Sequence, residues 1–268
     1  MNRRSLFLIS IVVFGYALLY VPIVSVVIYS FNDSRLVTLW GGFSLRWYVS
    51  LLSDEELLGA TLLSLRIAVI SATFATALGA LVALALHRVN RLRGRLLLSG
   101  MITAPLVVPE IITGLSLLFL FISMADLIGW PASRGATTIT IAHITFSMAY
   151  VVVVVRSRLA AMNESLEEAA MDLGGRPVAV FFDITVPMLL PALVSGWLLS
   201  FTLSLDDLVI SSFVSGPGAT TLPMLIFAKV RLGVTPDINA IATIIIVLVA
   251  VAVATAALVS GKRRPGAA

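Results

Sequence analysis

Six stretches of the sequence are apolar over about twenty residues or longer, and this feature limits the possible folds more than any other. An α-helix needs about 20 predominantly apolar residues to cross the hydrocarbon core of a bilayer. With 59% hydrophobic residues and a mean hydropathy of +1.07, the chain of 268 residues has more apolar surface than a soluble domain can bury. We therefore predict an all-α integral membrane protein with a single transmembrane domain over residues 1–268. Its six predicted helices cover about residues 6–29, 62–86, 96–123, 137–155, 191–214 and 238–260.

The first apolar stretch follows Arg3 and Arg4, as the apolar region of a signal peptide would. It is longer than such a region and lacks a small-residue cleavage site. We therefore interpret residues 6–29 as a retained transmembrane helix.

The basic residues predict the orientation of the helices. About two-thirds of the Lys and Arg residues lie at the two termini, in the loop 87–95 and in the polar stretch 156–190. Six helices place all of these segments on one side, which the positive-inside rule makes the cytoplasm. Both termini are therefore predicted to be cytoplasmic, and the loops after the first, third and fifth helices face the other side.

Several kinds of chemistry are excluded or disfavoured by composition. The chain has no Cys, which excludes disulfides and thiolate sites. Its two histidines, His87 and His143, are far apart in sequence, so we expect neither a metal site nor a catalytic triad. The basic residues lie at membrane edges rather than in one patch, which disfavours nucleic acid as a partner. No phosphate-binding loop motif is present, so ATP and Mg²⁺ would have to be bound by another protein.

The polar stretch 156–190 predicts two short helices joined by a turn. Ser165 and Glu168 have the spacing of a capping box, and the Gly174 that follows can end a helix in the left-handed conformation. Pro177 suits the first position of a second helix, which Pro187 and then Pro191 are expected to end. The stretch is either a connector lying on the bilayer surface or a hairpin that docks into a partner.

Three carboxylates fall within predicted membrane helices: Glu110, Asp206 and Asp207. Each costs roughly 2.5–3.5 kcal/mol at the centre of a span, so we expect them to face the bundle interior or a water-filled cavity. They could form a pathway for a cation. The alternatives are helix capping and an ion pair with Arg66. Because adjacent helical residues point about 100° apart, one aspartate can face the pathway while the other bonds to a neighbouring helix.

Trp197 and Phe201 are four residues apart and therefore share a helix face. Aromatic faces attract alkylammonium ions, although ordinary helix packing also explains such a pair.

The stretch 156–190 resembles the EAA loop of the permease subunits of ATP-binding-cassette importers. The matching residues are Glu168, Ala169, Ala170, Gly174, Ile184 and Pro187, with Val186 where the family more often has Leu. Further residues are similar to the second permease subunit of putrescine and spermidine importers. They are Tyr29–Asn32, Thr103–Val107, Leu203–Asp207 and Gly216–Gly218.

This resemblance implies a type I importer permease fold with six helices in a bacterial inner membrane. It implies that the loop, including Asp172, couples the chain to a cytoplasmic ATPase present in two copies. It also implies a second related permease, a periplasmic polyamine-binding protein and putrescine as the leading substrate. The chain itself would then hold no cofactor and would not be an enzyme.

Three other functions remain possible from the sequence. The same kind of importer could carry spermidine, thiamine or ferric iron. An ion-coupled secondary carrier would leave the EAA-like loop unexplained, and such carriers often contain inverted repeats that are not evident here. An intramembrane aspartyl protease needs two carboxylates converging on one water, and Asp206 and Asp207 diverge as neighbours on one helix.

Overall fold

The computed structural model describes residues 3–36, 39–88, 94–163, 165–233 and 236–261. The described residues form twelve α-helices and one π-helical turn. These are α1 Arg3–Tyr29, α2 Arg46–Leu52, α3 Glu55–Arg88, α4 Arg95–Val107, α5 Glu110–Ile128, α6 Ala136–Ala160, α7 Ser165–Asp172, α8 Pro177–Val180, the π-turn Phe181–Thr185, α9 Val186–Asp206, α10 Val209–Val214, α11 Leu222–Leu232 and α12 Pro236–Gly261.

The all-α prediction is confirmed. Within the described part of the chain, five helical segments are long and apolar enough to cross a membrane, namely Phe7–Tyr29, Glu55–Arg88, Glu110–Ile128, Ala136–Ala160 and Pro177–Asp206. The sixth predicted span, about 238–260, falls on α12, of which Pro236–Val247 is a shorter apolar helix. The count of six spans and the cytoplasmic termini remain predictions.

The chain divides into two compact units. One contains the described residues up to Leu58 together with those from Ile226 onward, and the other is Gly59–Leu225. The second unit holds both larger clusters of buried apolar side chains.

Helix α6 is the centre of the second unit. It is the most buried of the five long helices and packs against α9, α4 and α10. Gly79 of α3 and Gly196 of α9 both lie against Val151 of α6, where they leave room for its side chain. Small residues allow this close approach between membrane helices, which have no hydrophobic driving force for association within lipid.

The third predicted span, about 96–123, is two helices rather than one. Helix α4 ends at Val107, and α5 begins at Glu110. Val108 has an extended backbone with ψ 131°. Pro109 explains the break, because its ring disfavours the helical conformation for the residue before it and it has no N–H for the helix.

The predicted helix end at Pro187 or Pro191 is wrong. Helix α8, the π-turn and α9 follow one another without interruption from Pro177 to Asp206. Pro187 lies in the first turn after the π-turn, which is the part of a helix that tolerates a missing N–H best. The predicted fifth span, about 191–214, is instead interrupted after Asp206, and α10 resumes at Val209.

The loop after α1 is built around Asn32, which is fully buried in the first unit. Its side-chain amide donates to the carbonyl oxygen of Leu39 at 2.8 Å and accepts from the Gly41 N–H at 2.7 Å. Its backbone carbonyl accepts from the indole of Trp47 at 2.7 Å. Part of the Tyr29–Asn32 motif therefore has a structural role.

A second anchor of the first unit lies at Lys229 of α11. Its ammonium is 3.0 Å from Asp54 and 3.8 Å from Asp237. Asp54 also accepts the N–H of Leu57 at 3.0 Å, which caps the start of α3. The Leu57 N–H, followed by Lys229, holds the pKa of Asp54 below its usual value of 3.8.

Candidate functional site

The two aspartates lie at the break between α9 and α10 and have different environments. Asp206 is the last residue of α9, and it is exposed. The Asp207 side chain is only 6% exposed, and its backbone is extended with ψ 121°. Of the three carboxylates expected to be buried, Asp207 is the one that the structure encloses.

Asp207 caps the beginning of α10. Its carboxylate accepts the backbone N–H groups of Ile210 at 3.2 Å and Ser211 at 2.7 Å. These N–H groups have no partner inside the helix, so the carboxylate both satisfies them and interacts favourably with the positive end of the helix dipole. Capping, one of the alternatives considered for these carboxylates, therefore describes Asp207.

Asp207 also bonds to a neighbouring helix through His143 of α6. The His143 side chain is 2% exposed, and its Nε2 is 3.1 Å from Asp207 Oδ2 and 3.1 Å from Ser211 Oγ. Its Nδ1 is 2.6 Å from Ser204 Oγ, and the hydroxyl of Ser71 donates to Ser204 Oγ at 3.0 Å. We refer to His143, Asp207, Ser204, Ser211 and Ser71 as the buried polar cluster.

The sequence did not predict this role for His143, which lies 61 residues before Ser204 and 64 before Asp207. Although the two histidines are far apart in sequence, His143 is hydrogen-bonded to Ser204 on one side and to Asp207 on the other. Ser204 is buried within α9, and its hydroxyl is already bonded to both His143 and Ser71. The arrangement therefore works as a closed link between helices, without an accessible nucleophile.

Among the described residues, Asp206 neither caps a helix nor bonds to His143. Within the described residues, no ion pair joins it to Arg66 or to another base, so the proposed pair with Arg66 is absent there. Its position at the C-terminal end of α9 is unfavourable for an anion, because the helix dipole is negative there. A cation beside Asp206 would supply the missing ion-pair partner and would offset the negative end of the helix dipole.

Glu110 is the first residue of α5, and it is exposed. Gly114, one turn later, packs against Ile210 and Phe213 of α10. The first turns of α5 therefore lie against α10, the helix that follows the two aspartates.

Trp197 and Phe201 share a face of α9, as predicted. Their rings stack with centroids 5.3 Å apart and an angle of 9°. The Trp197 indole donates to Thr73 of α3 at 3.1 Å. These contacts link α9 to α3, which supports helix packing as one role of the pair, and their part in a cation pathway remains a prediction.

Most side chains of the EAA-like segment are exposed. Glu168, Ala169, Asp172 and Gly174 are exposed, and Ala170 and Ile184 are partly buried. Gly174 has φ +90°, the left-handed conformation expected at the end of α7. Leu173, beside it, is an apolar residue that is 90% exposed.

The predicted capping box at the start of α7 is not formed as expected. Ser165 is the first helical residue, and its N–H is accepted by the side chain of Asn163 at 3.1 Å. The neighbour of Glu168, Glu167, makes the long-range contacts instead. Its carboxylate forms an ion pair with the guanidinium of Arg88 in α3 at 2.5 Å and accepts a hydrogen bond from the hydroxyl of Thr185 in the π-turn at 2.6 Å. Glu167 therefore ties α7 to the end of α3 and to the base of α9.

No group of three or more His, Asp or Glu side chains that could hold a metal ion occurs among the described residues.

Residues 75–263 match the family described as the inner membrane component of binding-protein-dependent transport systems. The chain is 59% identical over 243 residues to the putrescine transport system permease protein PotI of Escherichia coli K12, covering 91% of this chain and 86% of that one. It is 42% identical over 251 residues to the spermidine/putrescine transport system permease protein PotC of the same strain, covering 94% and 92%.

The fold has a counterpart among crystal structures. A chain of a bacterial ABC transporter involved in the import of the acidic polysaccharide alginate matches with a TM-score of 0.74 and 16% identity, over 98% of this chain and 96% of that one. The predicted importer permease fold is thereby confirmed. The chain therefore belongs to the family of inner membrane components of binding-protein-dependent transport systems, and it is a transport component rather than an enzyme.

Proposed function

We propose that this chain is one of two permease subunits of an ATP-driven importer of polyamines, with putrescine as its main substrate. The observation that carries the proposal is the 59% identity to a putrescine transport permease along 91% of the chain. The exposed carboxylate of Asp206 at the end of α9 is of the sign that an ammonium group requires. Spermidine is the second candidate, because a spermidine/putrescine permease is 42% identical over 94% of the chain.

In this proposal the importer resides in the bacterial inner membrane and has four kinds of component. A periplasmic binding protein delivers the polyamine, and this chain and a related permease form the translocation pathway. Two copies of a cytoplasmic ATPase bind ATP and Mg²⁺ and supply the energy. The exposed surface of α7, with Glu168 and Gly174, docks on one ATPase and transmits its movement through the π-turn into α9.

Uptake of labelled putrescine tests the substrate. Cells or proteoliposomes containing this chain with its three partner proteins should accumulate putrescine in an ATP-dependent manner. Unlabelled putrescine should compete better than spermidine, and thiamine should not compete. Absence of putrescine uptake in an assembled importer that transports another solute would contradict the substrate assignment and leave the family unchanged.

The coupling role is tested by substitutions on the exposed face. Glu168→Lys should reverse the charge offered to the ATPase, and Gly174→Asp should strain the left-handed end of α7 by roughly 1–2 kcal/mol. Both variants should insert normally, retain less ATPase on co-purification and lose uptake. Gly59→Ala is a suitable control, because an added Cβ there meets no atom within 4 Å. Normal ATPase binding and normal uptake by both variants would refute this docking surface.

A further inference from the structure

The buried polar cluster links helices α3, α6, α9 and α10, with the imidazole of His143 at its centre. His143 of α6 contacts Ser204 in α9, Asp207 at the break and Ser211 in α10, and Ser204 extends the chain of hydrogen bonds to Ser71 in α3. The proposed transport and coupling steps do not involve His143.

The proton positions in this cluster follow from the groups present. An ionised carboxylate can only accept, so His143 donates from Nε2 to Asp207. With a neutral imidazole, Nδ1 accepts from the Ser204 hydroxyl, and Ser204 in turn accepts from Ser71. Each of these links then has a donor and an acceptor, which holds the ring in one orientation.

The acceptor capacity of Asp207 is largely taken up. Its two oxygens already receive the N–H groups of Ile210 and Ser211 and the imidazole of His143. Because the side chain is only 6% exposed, an ammonium ion has little access to the acceptor position that is left. The carboxylate of Asp206, one residue earlier, is exposed and has no ion-pair partner among the described residues.

The same contacts hold the break between the two helices. Asp207 has the extended backbone that ends α9, and its bonds to the first turn of α10 and to His143 stabilise that conformation. If Asp207 were released, α9 could continue into the apolar residues of α10. Asp206 would then be an interior helical residue, and Asp207 would follow it on the same helix about 100° around the axis.

We propose that His143 is a positioning residue for translocation: it holds Asp207 at the start of α10, fixes the helix break, and thereby leaves Asp206 alone of the pair to contact the cationic substrate. This inference rests on the proposed polyamine transport. It assigns different roles to two adjacent, chemically identical side chains.

Thiol labelling tests the division of roles directly, because the chain contains no cysteine of its own. Single Asp206→Cys and Asp207→Cys variants, assembled with cysteine-free partner proteins, are exposed to a small cationic thiosulfonate. We expect the Asp206→Cys chain to react at least tenfold faster and to be protected by putrescine during turnover. Ser211→Cys provides a second buried position should Asp207→Cys fail to assemble, since Ser211 is fully buried. Equal or faster labelling of the buried positions overturns the proposal.

Transport by His143 variants tests the positioning role. His143→Gln can place an amide N–H near the position of Nε2 and still reach Asp207, whereas the shorter side chain of His143→Asn can reach only Ser204. In proteoliposomes, His143→Asn should lower the putrescine transported per ATP hydrolysed by about tenfold, the scale of losing a hydrogen bond to a charged group. His143→Gln should remain within about twofold of the parent chain.

Thr138→Val is the matched control for a purely structural effect. Thr138 is also buried on α6 and also bonds to the segment after α9, at Val214, but it does not contact Asp207. We expect this variant to lower thermal stability while transport per ATP stays unchanged. If His143→Asn behaves like Thr138→Val, or if Asp206→Asn leaves transport per ATP unchanged, the positioning role is refuted.

Failure of this inference and failure of the proposed function give different results. A parent importer that hydrolyses ATP but moves no polyamine contradicts the proposed function. A parent that moves putrescine while the labelling pattern or the Gln and Asn variants depart from expectation contradicts only the role of His143.

Discussion

At the residue scale, Val151 of α6 lies against glycines of two other helices. A Cβ added at Gly79 would lie 2.9 Å from the Val151 side chain, and one added at Gly196 would lie 3.4 Å away. The first distance is a clash, and the second is close to ordinary contact. The two glycines therefore share a neighbour but differ in how much space they must leave.

We expect Gly79→Ala to destabilise the assembled subunit by about 1–3 kcal/mol, because the added methyl group forces α3 away from α6. Gly196→Ala, the matched variant on α9, should change stability by less than about 1 kcal/mol. Thermal unfolding of the purified importer in detergent measures both. Similar melting temperatures for the two variants would contradict the close approach of α3 and α6.

At the element scale, the connection from α7 to the membrane helices depends on Glu167. Its carboxylate lies between Arg88 at the end of α3 and Thr185 in the π-turn, so a displacement of α7 is transmitted to both. Glu168, its neighbour, is exposed and available to a partner. The two adjacent glutamates therefore differ, because Glu167 is bonded within the chain whereas Glu168 is exposed, as its proposed contact with the ATPase requires.

We expect Glu167→Arg to reduce uptake several-fold while ATPase co-purification stays near normal, because α7 still presents its outer face but is no longer tied to α3. The double variant with Arg88→Glu should recover part of the loss, since it restores the opposite charges. Uptake and retained ATPase, measured on the same preparations, separate this effect from that of Glu168→Lys. Loss of ATPase binding by Glu167→Arg alone would indicate that Glu167 belongs to the docking surface.

A second prediction at this scale concerns Asp54, which caps α3 and pairs with Lys229 of α11. Its pKa is lowered in the folded chain, so its contribution to stability is fully present above the unfolded value of 3.8 and is lost as the pH falls through the lower folded value. We expect Asp54→Ala to lose about 1 kcal/mol at pH 7, as other N-cap substitutions do.

The difference in melting temperature between the parent chain and Asp54→Ala checks this dependence. It should be constant between pH 7 and pH 5 and should decrease only under acid conditions below 3.8. A difference that already disappears between pH 7 and pH 5 would contradict the lowered pKa.

At the scale of the whole molecule, the helices specify a topology that fusion reporters can test. A reporter placed after Lys262 should be cytoplasmic, and one placed between Gly129 and Gly135, after α5, should be periplasmic. This result follows from six spans and from the positive-inside rule. A periplasmic signal at the C-terminal end would mean that α12 does not cross the membrane.

The sequence by itself determined the all-α membrane class of the fold and the approximate positions of most of the long helices. Membrane helices can be predicted from apolar runs because each helix satisfies its own backbone hydrogen bonds. Length and composition therefore decide whether a segment can cross the membrane. The left-handed Gly174 and the start of α8 at Pro177 were readable for a similar reason, since both depend on local backbone chemistry. The EAA-like spacing also located the exposed surface of α7.

The tertiary structure decided where helices break and which polar groups meet. Pro109 interrupts a predicted span, whereas Pro187 and Pro191 lie within a continuous helix, because the preceding π-turn and the surrounding helices decide whether a missing N–H is tolerated. His143 and Asp207 meet because α6 packs against both α9 and α10. No local sequence pattern marks which distant side chains will meet. The exposed position of Asp206 and the enclosed position of Asp207 are therefore seen only in the folded chain.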